Sequence, residues 1–456
     1  MSRYDRAVMH DDFKSIMRML EGFLEITLLV LLYALCVDVC YDGICYAIFS
    51  MKVICVGVYA ALVFALFLLS DCFKFGYLKL GALVVAQVIC VMIADVLIYF
   101  VLCLTALELV PVWGILCLMA VDGALTVALC YVFTLWYHKT NVPHNMLLVY
   151  RDERAMSLKF KMDSRQEKYR ITETVHTDAG LEAIKSRIPE HDAVILSSMP
   201  VSVRNDIMRY CYQNSVRCYI APEISDIIVT GSREITLFDT PLRLVKGRGL
   251  TYQQRFVKRL FDVVLSSIVL AALSPLMLLI AAAIRLSDGG PVFYRQKRVT
   301  RDGEVFDILK FRSMVVDAEK QGETMPAVDG DPRITKVGRI IRPMRLDELP
   351  QLINIIRGDM SIVGPRPERV EHVQAYSAEI PEWHFREKVR GGLTGYAQVF
   401  GKYNTEAYDK LRMDLMYIEH YSLSLDIKLI FMTLRVLFSR EAVEGFDRPG
   451  REETDK

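Results

Sequence analysis

Long apolar runs alternate with short polar connections in the first 140 residues of this chain. Four runs carry at most one charged residue each and cover residues 26–37, 53–70, 81–107 and 111–137. The last three are long enough to cross about 30 Å of hydrocarbon as helices. The first is shorter and lies between Glu25 and Asp38. The pattern therefore predicts a four-helix transmembrane region over residues 1–140.

The basic residues around these runs predict their orientation. They lie before the first run, between the second and third, and after the fourth, at Arg3, Arg6, Lys14, Arg18, Lys74, Lys79, Lys139, Arg151 and Arg154. The connection near Glu108 contains no lysine or arginine, and the one near Asp42 contains only Lys52, next to the second run. Because positive charge favours the cytoplasmic side, both ends of the region are predicted to be cytoplasmic.

Two acidic residues interrupt the third and fourth runs. An ionisable group inside a membrane is costly, so Asp95 and Asp122 mark a candidate proton or ligand site. The alternative is that both are protonated acids that form hydrogen bonds between helices. We favour this second interpretation.

The pattern changes between residues 145 and 245. Strand-like stretches cover residues 146–150, 169–174, 193–198 and 216–222, with helix-like segments at 181–188 and 203–214 between them. Strands alternating with helices predict a parallel, Rossmann-like α/β domain over residues 141–250. A dinucleotide site needs a glycine-rich turn after the first strand, and residues 151–154 contain no glycine. We therefore expect a regulatory, dimerising or spacer domain.

A fifth apolar run extends from Leu260 to Ile284 and contains one charge, Asp262. Ser274-Pro275 lies near its centre, and a proline inside a helix removes a hydrogen bond and kinks the helix. Basic residues flank both ends of the run, so neither end is predicted to leave the cytoplasm. We expect a re-entrant helix hairpin that bends at Ser274-Pro275. An ordinary kinked fifth span is the alternative.

The chain from residue 295 onward is polar and rich in arginine. Residues 423–438 repeat apolar positions at helical spacing, which is typical of an interfacial amphipathic helix or of a core helix. All eleven cysteines lie at or before Cys218, so no disulfide is expected in the second half. The net charge of +1 gives no support to nucleic-acid binding.

The candidate chemistry lies in the stretch RLDELPQL, residues 345–352. Two adjacent carboxylates, Asp347 and Glu348, are flanked by Arg342 and Arg345. One carboxylate can act as a nucleophile while the other holds a divalent cation that neutralises phosphate charge. A solvated acidic pair on the surface is the alternative.

Three longer stretches carry a resemblance to a known family. They are GGPVFYRQKRVTRDGEVFDILKFRSM after the fifth run, RLDELPQLINIIRGDMSIVGPRPE around the acidic pair, and GGLTGYAQVFGKYN beyond it. In this order, over about residues 252–446, they resemble the bacterial sugar transferases, the monotopic polyprenyl-phosphate phosphoglycosyl transferases. The region in front resembles the large subgroup that starts exopolysaccharide, capsule or O-antigen units.

The resemblance implies a role for each matching residue. Asp347 matches the nucleophile that attacks the β-phosphate of a UDP-sugar, expels UMP and keeps a covalent sugar phosphate until polyprenyl phosphate accepts it. Glu348 matches the residue that binds Mg²⁺. The family's phosphate- and substrate-binding positions fall on Lys310, Arg312, Arg342, Pro365, Arg366 and Pro367. One position departs, because the family's Arg-Pro-Gly reads Arg390-Gly391-Gly392 here.

The sequence therefore predicts a membrane protein with α and α/β parts. Its expected domains are a four-helix transmembrane region (1–140), a Rossmann-like cytoplasmic domain (141–250), a re-entrant helix with a mixed α/β catalytic domain (251–446) and a polar tail (447–456). We expect a homodimer in the bacterial inner membrane, with a cytoplasmic catalytic domain that binds a UDP-sugar, undecaprenyl phosphate and the lipid bilayer. The alternatives are a membrane-bound phosphatase or pyrophosphatase and a non-catalytic scaffold with a nucleotide-sensing domain.

Overall fold

The computed structural model describes residues 3–41, 49–75, 78–140, 143–164, 169–247, 249–316, 331–402 and 405–438. The chain divides into two compact units, residues 1–223 and 224–456. The predicted polar tail, residues 447–456, and the connection at Asp42 lie outside the described residues. The bounds of the four predicted domains stay predictions.

Four long helices form the first part of the first unit. They are α1 (Arg3–Cys40), α2 (Phe49–Leu69), α3 (Leu80–Ala106) and α4 (Val112–Thr140). Each contains a stretch that is long and apolar enough to cross a membrane by length and composition. In this part of the unit α1 and α3 each pack against both α2 and α4. The helices coincide with the four predicted runs, and α1 also continues through the polar residues before its run.

A parallel sheet with flanking helices forms the rest of the first unit. Its elements are β1 (His144–Tyr150), α5 (Arg154–Asp163), β2 (Tyr169–His176), α6 (Leu181–Arg187), β3 (Ala193–Ser197), α7 (Val201–Gln213) and β4 (Arg217–Ile220). The strand order is β2-β1-β3-β4. The core of β1 and the whole of β3 are buried, as expected where helices cover both faces of a parallel sheet.

The strands of this sheet lie on the four predicted stretches, whereas α5 was absent from the prediction. Residues 157–163 of α5 alternate polar and apolar side chains, which is a strand-like pattern. Packing decides in favour of the helix, because Ala155 joins a buried cluster with Leu148 and Ile195 on one face of the sheet. The residues next to them in β1 and β3, such as Leu147, belong to a second cluster on the other face.

The second unit mixes helices with short strand pairs. Its elements are α8 (Ile224–Thr230), β5 (Arg233–Leu237), β6 (Thr240–Leu244), α9 (Tyr252–Asp288), β7 (Phe293–Val299), β8 (Val305–Phe311), α10 (Lys336–Ile341), α11 (Gln351–Arg357), β9 (Ser361–Val363), α12 (Val370–Glu379), β10 (Gly392–Thr394), α13 (Tyr396–Phe400), α14 (Ala407–Glu419) and α15 (Leu423–Phe438). β5 pairs with β6 and β7 with β8, both antiparallel, whereas β9 and β10 are parallel. Leu429 and Met432 of α15 lie in the core, which favours the core-helix interpretation of that segment.

The helix α9 is the fifth helix that is long and apolar enough to cross a membrane. It begins with a capping box between Thr251 and Gln254 and ends at Gly289, whose φ of 69° suits glycine. Its 37 residues correspond to about 55 Å of helix, far more than one crossing of the hydrocarbon needs. Pro275 lies inside it. Buried side chains occur on both sides of the proline, at Lys258, Asp262, Ser266, Met277, Ile280 and Ile284.

The first half of α9 is attached to its own unit by buried polar contacts. The Lys258 ammonium lies 2.6 Å from the Asp426 carboxylate of α15, and both side chains are buried. The Asp262 carboxylate accepts hydrogen bonds from the Ser361 hydroxyl at 2.8 Å and from the Ile362 backbone N–H at 3.1 Å. Because a buried charge is costly without a partner, these contacts hold α9 against β9 and α15.

The second half of α9 packs through apolar side chains instead. Met277, Ile280 and Ile284 form a buried cluster with Phe311 at the end of β8 and Ile341 of α10. Leu346 and Leu349, which enclose the acidic pair in the sequence, pack against this cluster. The apolar side of the acidic turn therefore rests on the second half of α9.

Candidate active site

The acidic pair lies on a short 3₁₀ turn, Leu346–Glu348, between α10 and α11. Arg345 precedes it in a left-handed conformation with φ of 54°, and its N–H donates to the carbonyl of Arg342 at 3.0 Å. A left-handed residue with a side chain is strained, and such residues concentrate at functional sites. The turn therefore ends the helical path of α10 before the two carboxylates.

Glu348 is buried between two cations. Its Oε1 accepts hydrogen bonds from the Lys310 Nζ at 2.7 Å and from the Arg366 Nη2 at 3.0 Å. Burial opposes ionisation of Glu348, but Arg366 and Lys310 outweigh it and hold the pKa of this carboxyl well below its ordinary value. Glu348 in turn raises the pKa of Arg366. Glu348 is therefore an anion that holds Lys310 and Arg366 in place, and lysine and arginine are the side chains that commonly bind phosphate.

Asp347 has the opposite environment although it is the next residue. Its side chain is half-buried, and its Oδ1 is buried without a hydrogen-bond partner in the described part of the chain. Burial, and then the charge of Glu348, raise the pKa of Asp347, while Lys310 and Arg342 act against this shift. An ionised oxygen with few hydrogen bonds is poorly stabilised and therefore reactive toward an electrophilic phosphorus.

Lys310 reaches the pair from β8, and an asparagine fixes that strand. The Asn354 side chain accepts a hydrogen bond from the Leu309 N–H at 2.9 Å and donates one to the Asp307 carbonyl at 2.9 Å. Since Asn354 belongs to α11, the helix after the acidic turn and the strand of Lys310 are held together. Arg342 follows α10 and its Nη1 lies 3.4 Å from the Ser313 hydroxyl.

Arg312 lies two residues beyond Lys310 and has a different partner. It forms an ion pair with Asp288 at the end of α9, and no direct contact joins it to the acidic pair among the described residues. Its Nε and Nη1 are buried without hydrogen-bond partners in the same described part. The structure thus brings Lys310 and Arg366 together on Glu348 and places Arg312 at the end of α9. The predicted role of Arg312 in phosphate binding stays a prediction.

The backbone of the segment 365–367 is fixed at all three residues. Their carbonyls accept hydrogen bonds from Gly392 N–H (Pro365, 2.8 Å), from Arg386 Nη2 (Arg366, 2.9 Å) and from Arg298 Nη1 (Pro367, 3.0 Å). The two prolines also restrict φ on either side of the arginine. Arg366 therefore reaches Glu348 from a rigid backbone, which reduces the entropy lost when it binds an anion.

A buried ion pair behind this segment was missed by sequence reasoning. Arg386 donates to one oxygen of Asp414 from Nε at 3.0 Å and from Nη2 at 2.7 Å, and its guanidinium lies 4.6 Å from the ring centre of Trp383. Asp414 lies between Leu411 and Ile418 on the buried face of α14. A carboxylate at an apolar position of an amphipathic helix was the signal that could have indicated a buried partner.

Gly391, where the chain departs from the family, is held by a backbone hydrogen bond. Its N–H donates to the Thr300 hydroxyl at 3.0 Å. A Cβ atom at Gly391 would lie 2.9 Å from the Cβ of Pro367, which is closer than normal packing permits. A proline at this position would lack the N–H and crowd the segment that carries Arg366.

The acidic pair can be tested for its fit to magnesium. Among the described residues no group of three or more His, Cys, Asp or Glu side chains is placed to hold a metal ion. Magnesium, however, is commonly held by one or two carboxylates together with substrate phosphates. The uncommitted Oδ1 of Asp347 beside the ionised Glu348 fits a site that is shared with a substrate.

The five apolar helices indicate a membrane-associated protein, and its acidic pair with Lys310 and Arg366 is a group of side chains whose chemistry suits phosphate groups. The comparison with known families makes this specific. The model of the bacterial sugar transferase family matches residues 253–440. The relatives below support the same assignment, and the chain belongs to the bacterial sugar transferase family.

Three relatives show which part of the chain is shared. A UDP-glucose:undecaprenyl-phosphate glucose-1-phosphate transferase of Caulobacter vibrioides is 44% identical over 40% of this chain and 70% of its own length. The exopolysaccharide production protein ExoY of Sinorhizobium fredii is 38% identical over 39% of this chain and 83% of its own. A UDP-N-acetylgalactosamine-undecaprenyl-phosphate N-acetylgalactosaminephosphotransferase of Aeromonas hydrophila is 43% identical over 40% of this chain and 44% of its own. The match thus spans less than half the length of the last relative.

Proposed function

We propose that this protein transfers a sugar 1-phosphate from a UDP-sugar to a polyprenyl phosphate, most simply undecaprenyl phosphate, and so starts an exopolysaccharide, capsule or O-antigen unit. The observation that carries the proposal is the contrast within the acidic pair. The negative charge of Glu348 is balanced by Lys310 and Arg366. The adjacent Asp347 has a buried oxygen without a hydrogen-bond partner in the described residues, and its pKa is raised. The names of the relatives agree in the acceptor and differ in the sugar, so the sugar is left open.

In the first step an ionised oxygen of Asp347 attacks the phosphorus that bears the sugar. The bond between this phosphorus and the bridging oxygen breaks, and UMP leaves with that oxygen. The product is an acyl phosphate in which the sugar phosphate is bound to Asp347. Lys310, Arg342 and Arg366 lie around the pair and can balance the charge that develops on the phosphate oxygens.

In the second step an oxygen of polyprenyl phosphate attacks the same phosphorus, and the Asp347 carboxylate leaves unchanged. The lipid product is a polyprenyl diphospho-sugar, so the atoms balance over the two steps. Asp347 and Glu348 would hold Mg²⁺ together with the substrate phosphates, where it would neutralise phosphate charge. Arg366 keeps its place through both steps because its backbone is fixed on either side.

We also propose that α9 is re-entrant, with its bend at Ser274-Pro275. Both halves of the helix pack against the same polar unit, the first half through Lys258 and Asp262 and the second through Ile284. Between these contacts, residues 271–276 are exposed apart from Leu273, which is half-buried. An exposed stretch around Pro275 between two attached halves suits insertion into one leaflet. A helix crossing fully would leave its two ends, and their contacts, on opposite sides of the membrane.

Cysteine labelling in a cysteine-free background tests this topology. Lys258 is unsuitable because it is buried against Asp426, so the exposed Arg255 replaces it as the position before the bend. Arg295 serves as the position after it. The proposal expects that an impermeant thiol reagent labels neither residue from the periplasm of intact cells and labels both after lysis. Periplasmic labelling of Arg295→Cys alone would establish a full span.

The first unit is proposed to contain a membrane part and a cytoplasmic part. We propose that α1 to α4 form a transmembrane bundle in the bacterial inner membrane and that the parallel sheet is a Rossmann-like cytoplasmic domain. The apolar helices and the β2-β1-β3-β4 order support these assignments. A homodimer is also proposed, and the mass of the particle in native nanodiscs measures it.

The reaction is tested by product analysis with a panel of UDP-sugars. The purified full-length protein is incubated with each UDP-sugar, Mg²⁺ and undecaprenyl phosphate, and UMP and lipid products are measured. The proposal expects UMP release that depends on undecaprenyl phosphate and equals the lipid-linked sugar formed. Free sugar phosphate in place of the lipid product would indicate a phosphatase or pyrophosphatase. No turnover with any UDP-sugar would favour the scaffold.

A further inference from the structure

A group of three polar side chains lies in the interior of the four-helix region, far from the acidic pair in sequence. The Tyr59 hydroxyl of α2 lies 2.8 Å from the Asp95 Oδ1 of α3 and 2.9 Å from the Asp122 Oδ2 of α4. All three side chains are fully buried. We call this group the tyrosine–aspartate site.

The chemistry of the hydroxyl shows that this site holds a proton beyond the one on tyrosine. A tyrosine has one O–H and can donate to only one of the two carboxyls. The second contact is attractive only if the other carboxyl is protonated and donates to the tyrosine oxygen. Two ionised carboxylates around one hydroxyl would also place two uncompensated charges in an apolar interior. This costs far more free energy than one ionised and one protonated carboxyl.

No cation is available to neutralise the two carboxyls instead. In the described part of the chain no lysine or arginine forms an ion pair with Asp95 or Asp122. The titratable groups that face the site from α1 are Tyr33, whose ring stacks on Tyr59 at 4.5 Å, and Cys36. Both are uncharged in their ordinary state. The proton is therefore the simplest ligand that satisfies the site.

Three buried atoms at the site point to a further ligand. Asp95 Oδ2, Asp122 Oδ1 and Thr126 Oγ1 have no hydrogen-bond partner among the described residues. Thr126 is fully buried and lies one helical turn from Asp122, on the same face of α4. Buried polar atoms are nearly always satisfied by protein or by ordered water. Three such atoms around one point fit water molecules that are hydrogen-bonded to the site.

A line of further polar side chains connects this site to one end of the helices. It consists of Thr126, Cys130 and Thr134 on α4, Gln87 on α3, and Glu25 and Glu21 on α1, all of them buried. We call this line the polar column. Gln87 Nε2 donates to Glu25 Oε2 at 3.0 Å, and Cys130 contacts the Gln87 side chain. Thr134 Oγ1, Glu25 Oε1 and Glu21 Oε2 have no hydrogen-bond partner in the described part of the chain.

The column leads toward one side of the region only. Gln87 and Thr134 lie about two turns from the end where α2 connects to α3 and where Lys74 and Lys79 predict the cytoplasm. On the other side of the tyrosine–aspartate site the buried side chains are mostly apolar, at Val37, Ile98, Leu102, Ile115 and Leu118. There the hydroxyl of the buried Tyr41 donates to the Pro111 carbonyl at 2.8 Å. The polar column thus lies among apolar side chains, such as Phe67 and Leu83, on one side of the site.

We propose that the four-helix region binds an exchangeable proton at Asp95, Tyr59 and Asp122, which water reaches through the polar column from the predicted cytoplasmic end. The proton is shared between the two carboxyls through the tyrosine oxygen. This gives the region a binding function beyond membrane anchorage. The proposal does not rest on the transferase reaction, and its test requires no turnover.

Infrared spectroscopy of the full-length protein in nanodiscs tests the proton directly. A protonated carboxyl has a C=O stretching band that carboxylates and amides lack. The buried Glu21 and Glu25 can contribute to the same band. The proposal therefore expects the band at neutral pH in the wild type and a weaker band, seen in the difference spectrum, in the double variant Asp95→Asn/Asp122→Asn. Glu108→Gln, in the exposed connection between α3 and α4, is the matched control and should retain the band. An unchanged band in the double variant would overturn the proposal.

The same band reports water access in the wild type, and one isosteric variant tests the route. In D2O the proton exchanges for deuterium and the band shifts. The proposal expects this shift in the wild type before the amide band of the helices has exchanged, and a roughly fivefold slower shift in the isosteric Thr126→Val. A wild-type band that shifts only together with the helix amides would exclude access through the column. Loss of the band when Na⁺ replaces K⁺ at constant pH would identify a metal-ion site and overturn the proton assignment.

Discussion

Two pairs of acidic side chains in the described part of the molecule, one partly buried and one fully buried, are stabilised in different ways. In the second unit, Glu348 is ionised and held by Lys310 and Arg366, beside the half-buried Asp347. In the four-helix region, Asp95 and Asp122 share the hydroxyl of Tyr59, and no cation pairs with them in the described residues.

The difference follows from the cost of a buried charge. An isolated carboxylate in an apolar interior is unstable unless a cation balances it or a proton neutralises it. Cations at the first pair leave a charged cluster that we expect to suit phosphate groups and a divalent ion. One proton shared at the second pair leaves a single negative charge there, which repels phosphate. The location of the cations thus separates the two kinds of chemistry.

The largest expected effect of breaking this arrangement is on turnover. Asp347→Asn removes the nucleophile, and we expect UMP release to fall by at least about 10⁴-fold, as for other catalytic nucleophiles. The matched change Asp122→Asn should leave UMP release within about twofold, since that carboxyl is fully buried inside the four-helix region. Initial rates with saturating UDP-sugar measure both. Equal losses in the two variants would contradict the separation of roles.

The next largest effect is on stability. Glu348→Gln leaves Lys310 and Arg366 without their counter-ion, and we expect the free energy of unfolding to fall by about 3 kcal/mol. The pKa of Glu348 is depressed in the folded state, so its stabilisation is present above the ordinary glutamate pKa of 4.5 and is lost as the pH falls below it. Thermal unfolding in detergent should therefore show the full difference from wild type at pH 7 and a smaller one near pH 4. Adding Lys310→Met to Glu348→Gln should recover part of the loss.

A smaller effect on stability is expected at Gly391, where the chain departs from its family. Gly391→Pro removes the hydrogen bond to Thr300 and crowds Pro367, so we expect a loss of about 1 kcal/mol and a raised KM for the UDP-sugar. Gly391→Ala keeps the N–H but adds the crowding carbon, which separates the two causes. A KM that is unchanged in both variants would show that Arg366 does not depend on this contact.

The smallest effect is expected in the four-helix region. Asp95→Asn replaces a group that already shares a proton with one that can still accept a hydrogen bond from Tyr59. We therefore expect a change in stability of less than about 1 kcal/mol, measured by the same thermal unfolding. A loss as large as that of Glu348→Gln would show that Asp95 carries a stabilising charge, and the comparison between the two pairs would be wrong.

Much of the local structure could be predicted because it depends on neighbours in the sequence. The apolar runs coincide with long helices, and the strands β1 to β4 stand out as short strand-like stretches. The helix α5 could not be predicted, since its alternating residues favour a strand until packing places Ala155 against the sheet.

The partners of the site residues depend on contacts across long separations in the sequence. The acidic pair could be recognised because two adjacent carboxylates are flanked by arginines in the sequence. Neither the Lys310–Glu348 contact nor the hydrogen bonds from Arg386 to Asp414 follow from any periodic pattern. Arg312 has the same basic character as Lys310, and only the fold places it on Asp288. In the four-helix region, Asp95 and Asp122 were visible as unusual residues, whereas the tyrosine that joins them was not.

The proposed mechanism requires that Asp347 forms a covalent bond to the sugar phosphate while Glu348 remains an ionised partner of Lys310 and Arg366. Intact-mass spectrometry of the full-length protein, incubated with UDP-sugar and Mg²⁺ but no polyprenyl phosphate, detects this bond. We expect an added mass of one sugar phosphate in the wild type, located on Asp347 by peptide mapping, and no adduct in Asp347→Asn. An adduct on another residue, or wild-type turnover by Asp347→Asn, would contradict it.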